Sequence, residues 1–146
     1  MPSILKTAHV EHVMLGTGDY DATISWWTRI LGFEVELEWA VPEFPGLRLA
    51  YLAKNAFRLE VVGSPERFQQ RTTPVDIAQH LADIGFSHLA FKVDDVDAVV
   101  EELAGKGVAT FLPATSFADV GRRVAFVQDD QGNVIEFAAD LTSEGT

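Results

Sequence analysis

His12-Val13-Met14-Leu15 opens a segment that closes at Leu59-Glu60-Val61, and His88-Leu89-Ala90-Phe91 opens a second that closes at Ile135-Glu136-Phe137. These two stretches are copies of one unit. Histidine and glutamate lie 48 residues apart in each (12 to 60, 88 to 136), and the segments are offset by 76. The same offset carries Asp19 onto Asp95, Asp21 onto Asp97 and Ala22 onto Ala98. Five matches in one register, both histidines and both glutamates among them, make an internal repeat.

Working outward, each copy reads as βαβββ. In the first, a strand over about His9 to Leu15 leads through Gly16-Thr17-Gly18 to a helix over about Asp21 to Leu31. Ile24, Trp27, Ile30 and Leu31 form its inward stripe, and Gly32 stops it. Trp26 and Trp27 are read as helix packing. Phe33 to Trp39 alternates Val35, Leu37 and Trp39 against Glu34, Glu36 and Glu38, as a strand with two faces does. Val41 to Gly46, with two prolines, is a loop. Leu47 to Ala53 and Phe57 to Val62 are strands about a turn at Lys54-Asn55-Ala56. In the second copy the strands are Ser87 to Val93, Val108 to Leu112, Arg123 to Gln128 and Val134 to Ala138. The helix is Asp95 to Ala104, Pro113 to Gly121 is a loop, and Asp129 to Asn133 is a turn with a left-handed glycine. The expected class is α+β, one domain over 1–146 made of module 8–63, linker 64–86 and module 87–140. Residues 1–7 read as a lead-in and 140–146 as a polar tail. In the linker a short helix over about Val75 to Ile84 carries His80, to which a plain surface role is assigned.

Composition bounds the function. Among 146 residues there are 22 acidic and 11 basic side chains, a net charge of −11, and no cysteine. A nucleic-acid binder carries a basic patch, so nucleic acid is not expected as a partner. No stretch approaches the roughly 20 apolar residues of a membrane span. The first six residues do not look like a signal peptide. The cytoplasm is the expected location.

Two histidines and two glutamates on duplicated strands form a ligand set for one divalent metal ion: His12, Glu60, His88 and Glu136. Each points opposite to its strand's larger apolar side chains. If the apolar faces meet the helices, the four donors share the concave side of a curved sheet. Two carboxylates balance a 2+ charge, and open positions remain for substrate. Ni, Co, Zn, Mn and Fe all accept this set. His9 has the opposite parity from His12 and is read as no ligand. Trp39 and Phe117 are expected to line a small-molecule pocket. Arg58, in phase with Glu60, is expected to hold an anionic substrate or to pair with a carboxylate.

The pattern resembles the vicinal-oxygen-chelate superfamily, the glyoxalase, bleomycin-resistance and dioxygenase proteins. The motifs that carry the resemblance run from about Val10 to Ala139. They are His12 to Leu15 with Asp19-Tyr20-Asp21-Ala22, Ile30-Leu31-Gly32-Phe33-Glu34-Val35, Phe57-Arg58-Leu59-Glu60, His88 to Val96, and Val127 to Glu136. The resemblance implies paired βαβββ modules forming an open barrel around one metal. It also implies a lyase or isomerase that acts through a metal-stabilised enediolate, with Glu60 or Glu136 moving off to shuttle the proton. A homodimer is expected by analogy. Bacterial glyoxalase I has an arginine where this chain has Gly16 and an asparagine where it has Ser64, which argues against glutathione. Two other classes fit the same resemblance. One is an iron-dependent extradiol dioxygenase using His12, His88 and Glu136. The other is a small-molecule or antibiotic-binding resistance protein without catalysis.

Overall fold

The computed structural model describes residues 1–66 and 71–141. The chain divides into two compact units, Met1–Gln70 and Arg71–Thr146. Each holds one copy of the repeat.

In the first unit a 3-10 turn, Ile4–Thr7, precedes β1 (Val13–Thr17), α1 (Tyr20–Arg29), β2 (Glu34–Ala40), β3 (Arg48–Lys54) and β4 (Phe57–Gly63). The sheet order is β1-β4-β3-β2, with β1 parallel to β4 and the other pairs antiparallel. The Asp19 carboxylate caps α1, accepting from Ala22 N at 3.0 Å, and so satisfies one of the helix's orphan donors. The covered sheet face bears Leu52, Leu59 and Val61, and the helix contributes Trp27, all nearly inaccessible to solvent. Trp27 meets Phe33 edge to face at 5.3 Å. Tyr20 sits so close over β4 that a Cβ added at Gly63 would lie 2.6 Å from Tyr20 Cβ. Gly63 is in phase with Leu59 and Val61, so α1 covers that face, and Arg58 and Glu60 emerge from the other.

The second unit contains α2 (Ile77–Ala82), β5 (His88–Lys92), α3 (Val96–Gly105), β6 (Thr110–Phe117), β7 (Arg122–Gln128) and β8 (Val134–Asp140). Its sheet order, β5-β8-β7-β6, repeats the first. Val13 pairs with Leu59 and Leu89 with Ile135, both exact to the offset of 76. Asp95 caps α3 through Ala98 N at 3.0 Å. Val96 packs with Ala125 and Ala139, so α3 covers the Ala139 face and Glu136 lies on the other. Ala139 and Val96 occupy the positions of Gly63 and Tyr20: the larger helix residue faces the smaller strand residue in the first copy, and both are intermediate in the second. The Asp21–Arg48 ion pair of the first unit likewise recurs as Asp97–Arg123.

Four expectations are corrected. The edge strand β2 does not alternate strictly. Val35 pairs with Leu52 but Leu37 with Tyr51, so a bulge at Glu36 shifts the phase. Residues 113–117 are the second half of β6 and not a loop. β6 is an edge strand with its register shifted between Leu112 and Thr115, a place where proline's missing donor is tolerated. Asp140 belongs to β8 and pairs with Arg122, so the expected tail is shorter; residues 142–146 lie outside the described residues, as do 67–70 of the linker. His12 immediately precedes β1 and is not within it. Among the described residues no helix is long and apolar enough to cross a membrane.

Candidate metal centre

Across the first sheet, Met14 pairs with Glu60 on one side and Tyr51 pairs with Glu60 on the other. This ladder brings His12, two residues before Met14, to the carboxylate of Glu60: Nε2 and Oε1 are 3.7 Å apart. The other ring nitrogen, Nδ1, donates to the Glu11 carboxylate. An ionised carboxylate only accepts, so a ring proton sits on Nδ1, which leaves Nε2 as the nitrogen that would face a metal. Glu11 in turn accepts from Arg58, whose Nε also donates to Glu36 at 3.2 Å. The His12 hydrogen bond, with the Arg58 charge behind it, holds the Glu11 carboxyl below its ordinary value against the effect of burial. Arg58 is thus engaged by two carboxylates, the second of its two expected roles.

Tyr51 joins these groups into a wall. Its ring lies 5.7 Å from His12 and 4.6 Å from Trp39, with the Arg58 guanidinium 4.6 Å over its centroid. Trp39, expected near a pocket, is therefore one ring removed from His12. Tyr51 itself was not singled out from sequence. The two-residue turn between Lys54 and Phe57 would have found it, because counting back along the ladder sets Tyr51 against Glu60.

In the second unit, His88 Nε2 lies 2.9 Å from Glu136 Oε2. Phe126 pairs with Glu136, the place Tyr51 holds against Glu60, and meets the His88 ring edge-on at 5.2 Å. The expectation for His80 is overturned. It is 4% exposed, and its Nε2 is 2.9 Å from His88 Nδ1. Burial, and then the nearby His88, hold its pKa below the ordinary value, with Asp83 opposing. Its helix repeats the 3.6 spacing but packs Ile77 against Val124, Phe126 and Val134, the face that bears Glu136. Phe117 pairs with Arg122 at the far end of the ladder, four residues along β8 from Glu136, roughly 13 Å at a strand's rise. His9 bonds only locally, to Thr7 O at 3.3 Å.

Among the described residues no group of three or more His, Cys, Asp or Glu stands ready to hold a metal; the donors come as pairs. Their donor types suit a divalent metal, and their spacings can be compared with those of a coordination shell. With metal–nitrogen and metal–oxygen bonds of roughly 2.0–2.2 Å, donors on neighbouring corners of a coordination shell stand ~2.9–3.5 Å apart. The His88–Glu136 pair, at 2.9 Å, meets that range, and the His12–Glu60 pair, at 3.7 Å, stands just beyond it.

Two βαβββ units, each presenting a histidine–glutamate pair on the sheet face away from its own long helix, define a duplicated-module protein built to display paired donors. Residues 9–137 match the model of the Glyoxalase/Bleomycin resistance protein/Dioxygenase superfamily, and the chain belongs to that family. It is 28% identical over 126 residues to the uncharacterized protein YwkD of Bacillus subtilis, covering 86% of this chain and 91% of that one. It is 26% identical to a lactoylglutathione lyase of Arabidopsis thaliana over 86% of this chain, but spans only 42% of the plant protein. Among solved structures, a glyoxalase family protein from Enterococcus faecalis superposes with a TM-score of 0.75 at 26% identity, covering 90% of this chain and 98% of that one.

Proposed function

We propose that the chain is a metal-dependent lyase or isomerase acting on a small carbon acid, with His12, Glu60, His88 and Glu136 as its metal ligands. The observation that carries this reading is the pairing of imidazole Nε2 with carboxylate oxygen in both copies. A divalent cation held there supplies positive charge to the oxyanion that develops as the carbon acid loses its proton. Glu60 or Glu136 accepts and returns that proton. Tyr51 and Trp39 present aromatic faces that orient the substrate. Arg58, saturated by Glu11 and Glu36, keeps Glu11 and through it the His12 ring in place. The lactoylglutathione lyase among its relatives supports the reaction class. Gly16 and Ser64 support a substrate other than a glutathione adduct.

Plasma mass spectrometry of the purified protein tests the ligand set. The expected result is about one nickel, cobalt or zinc ion per chain, lost in a His12→Ala/His88→Ala variant. Glu60→Gln and Glu136→Gln are each expected to lower turnover by ~100-fold or more while the fold persists. Unchanged turnover in both would exclude them as the proton carriers. The longer His12–Glu60 separation favours one second reading, a dioxygenase in which Glu60 is a bystander to His12, His88 and Glu136. Iron in the purified protein, with oxygen uptake on catechols, would select it.

A further inference from the structure

The two copies support their histidines differently. In the first, Glu11, the residue before His12, takes the Nδ1 proton. The offset of 76 places Ser87 at the equivalent position, and its hydroxyl donates instead to Gly85 O at 3.4 Å. The second copy therefore lacks its own support, and the segment between the copies supplies one: His80, on α2, stands 2.9 Å from His88 Nδ1.

We propose that His80 is a positioning residue that fixes the ring of His88 for metal binding, an inference that rests on the metal-dependent reading above. An imidazole that gives its Nε2 lone pair to a metal carries its proton on Nδ1, and that proton needs an acceptor. With no metal on it, His88 Nε2 donates to Glu136 Oε2 at 2.9 Å and Nδ1 accepts from His80 Nε2. With a metal on Nε2 the His88 proton moves to Nδ1 and His80 Nε2 becomes its acceptor, which requires the His80 proton to sit on Nδ1. The linker is built to hold it there. Ile77 anchors α2 on Val124, Phe126 and Val134. Asp76 caps the helix through Gln79 N at 2.9 Å, and Gln79 Oε1 accepts from Val75 N at 3.1 Å. Gln128 Nε2 on β7 donates to Pro74 O at 3.1 Å, fastening the approach to the helix. The His80 ring is also 6.4 Å from Phe126, so it cannot swing away from His88 without leaving an apolar seat.

The support is neutral where that of His12 is anionic. A carboxylate raises the basicity of the ring it holds more than an imidazole does, so the two ligating histidines are unequal, His88 being the weaker donor and the one more dependent on orientation.

The test is zinc affinity, measured by competition with a chromophoric chelator, for the wild type, His80→Leu and His80→Gln. Melting temperatures confirm folding. Leucine fills the apolar seat without an acceptor, whereas glutamine restores an acceptor oxygen at similar reach. The expected result is a loss of about 10- to 100-fold in His80→Leu and recovery to within a few-fold in His80→Gln. Undiminished zinc binding by folded His80→Leu overturns the role of His80 and leaves the metal reading standing. Absence of zinc binding in the wild type overturns the metal reading itself, and this inference with it. Should His80→Leu fail to fold, long-range nitrogen-15 correlation spectra of the zinc-loaded wild type decide: a proton on His88 Nδ1 with a bare His80 Nε2 supports the role, and a proton on His80 Nε2 overturns it.

Discussion

At the residue scale, the side chains that matter most are those whose partners are fixed by backbone pairing. Gly132 illustrates the demand on a single position. Its φ is +82°, and a Cβ there would lie 2.6 Å from Thr73 Cγ2 and 3.3 Å from Thr73 Cβ. Gly132→Ala is expected to cost about 1–3 kcal/mol, read as a lower denaturation midpoint, because conformational strain and overpacking act together. The Asp97–Arg123 pair gives a pH effect of known sign. The Arg123 hydrogen bond, and then its charge, hold Asp97 below its ordinary value of 3.8 against the opposing effect of burial. The unfolded state therefore takes up a proton first as pH falls. The pair's contribution is full well above pH 3.8 and is lost as pH drops through the folded value. Asp97→Asn is expected to flatten the acid limb of a melting-temperature profile slightly, since the pair is exposed and solvent screens it. His80 and Tyr51 escaped the sequence reading for related reasons. A polar residue on a short helix looks solvated until its helix is known to cover the donor face, and Tyr51 gains meaning only from its cross-strand neighbour.

At the element scale, the repeat made the helices and site strands legible. Both helix starts carry an aspartate whose side chain caps the backbone three residues on, and both β1–β4 and β5–β8 pairings obey one offset. Asp19→Ala and Asp95→Ala are each expected to lower stability by about 0.5–2 kcal/mol. What resisted reading lies at sheet edges. Periodicity predicts a strand only while the residues keep phase, and β2 loses phase at Glu36. Pro113 read as a loop because proline breaks interior ladders, whereas β6 is an edge whose donors need no partner on one side. The hairpins differ too. Lys54 and Phe57 bracket two residues, while Asp129 and Asn133, joined N to O at 2.9 Å, bracket three. That one residue separates β7, which stands at an offset of 75 (51 to 126), from β8, which keeps 76, and it sets Phe126 where simple addition would have put Val127.

At the scale of the whole molecule, the acidic surplus and the doubling of the fold have separate consequences. With a net charge of −11, self-repulsion opposes compaction. Raising ionic strength from roughly 0.01 to 0.15 M shortens the screening length from about 30 to about 8 Å, so the melting temperature is expected to rise by a few degrees over that interval, as a scanning calorimeter would show. The doubling also bears on how such a chain can be recombined. Tyr20 over Gly63 and Val96 beside Ala139 are two volume-balanced answers to one packing question. After a gene duplication, either member of such a pair can drift only if its neighbour compensates. Chimeras that exchange segments between the two halves should therefore trade α1 together with β4 for α3 together with β8. Moving either element alone would set Tyr20 against a methyl group for which the first half has no room, or leave Val96 facing a glycine and a gap.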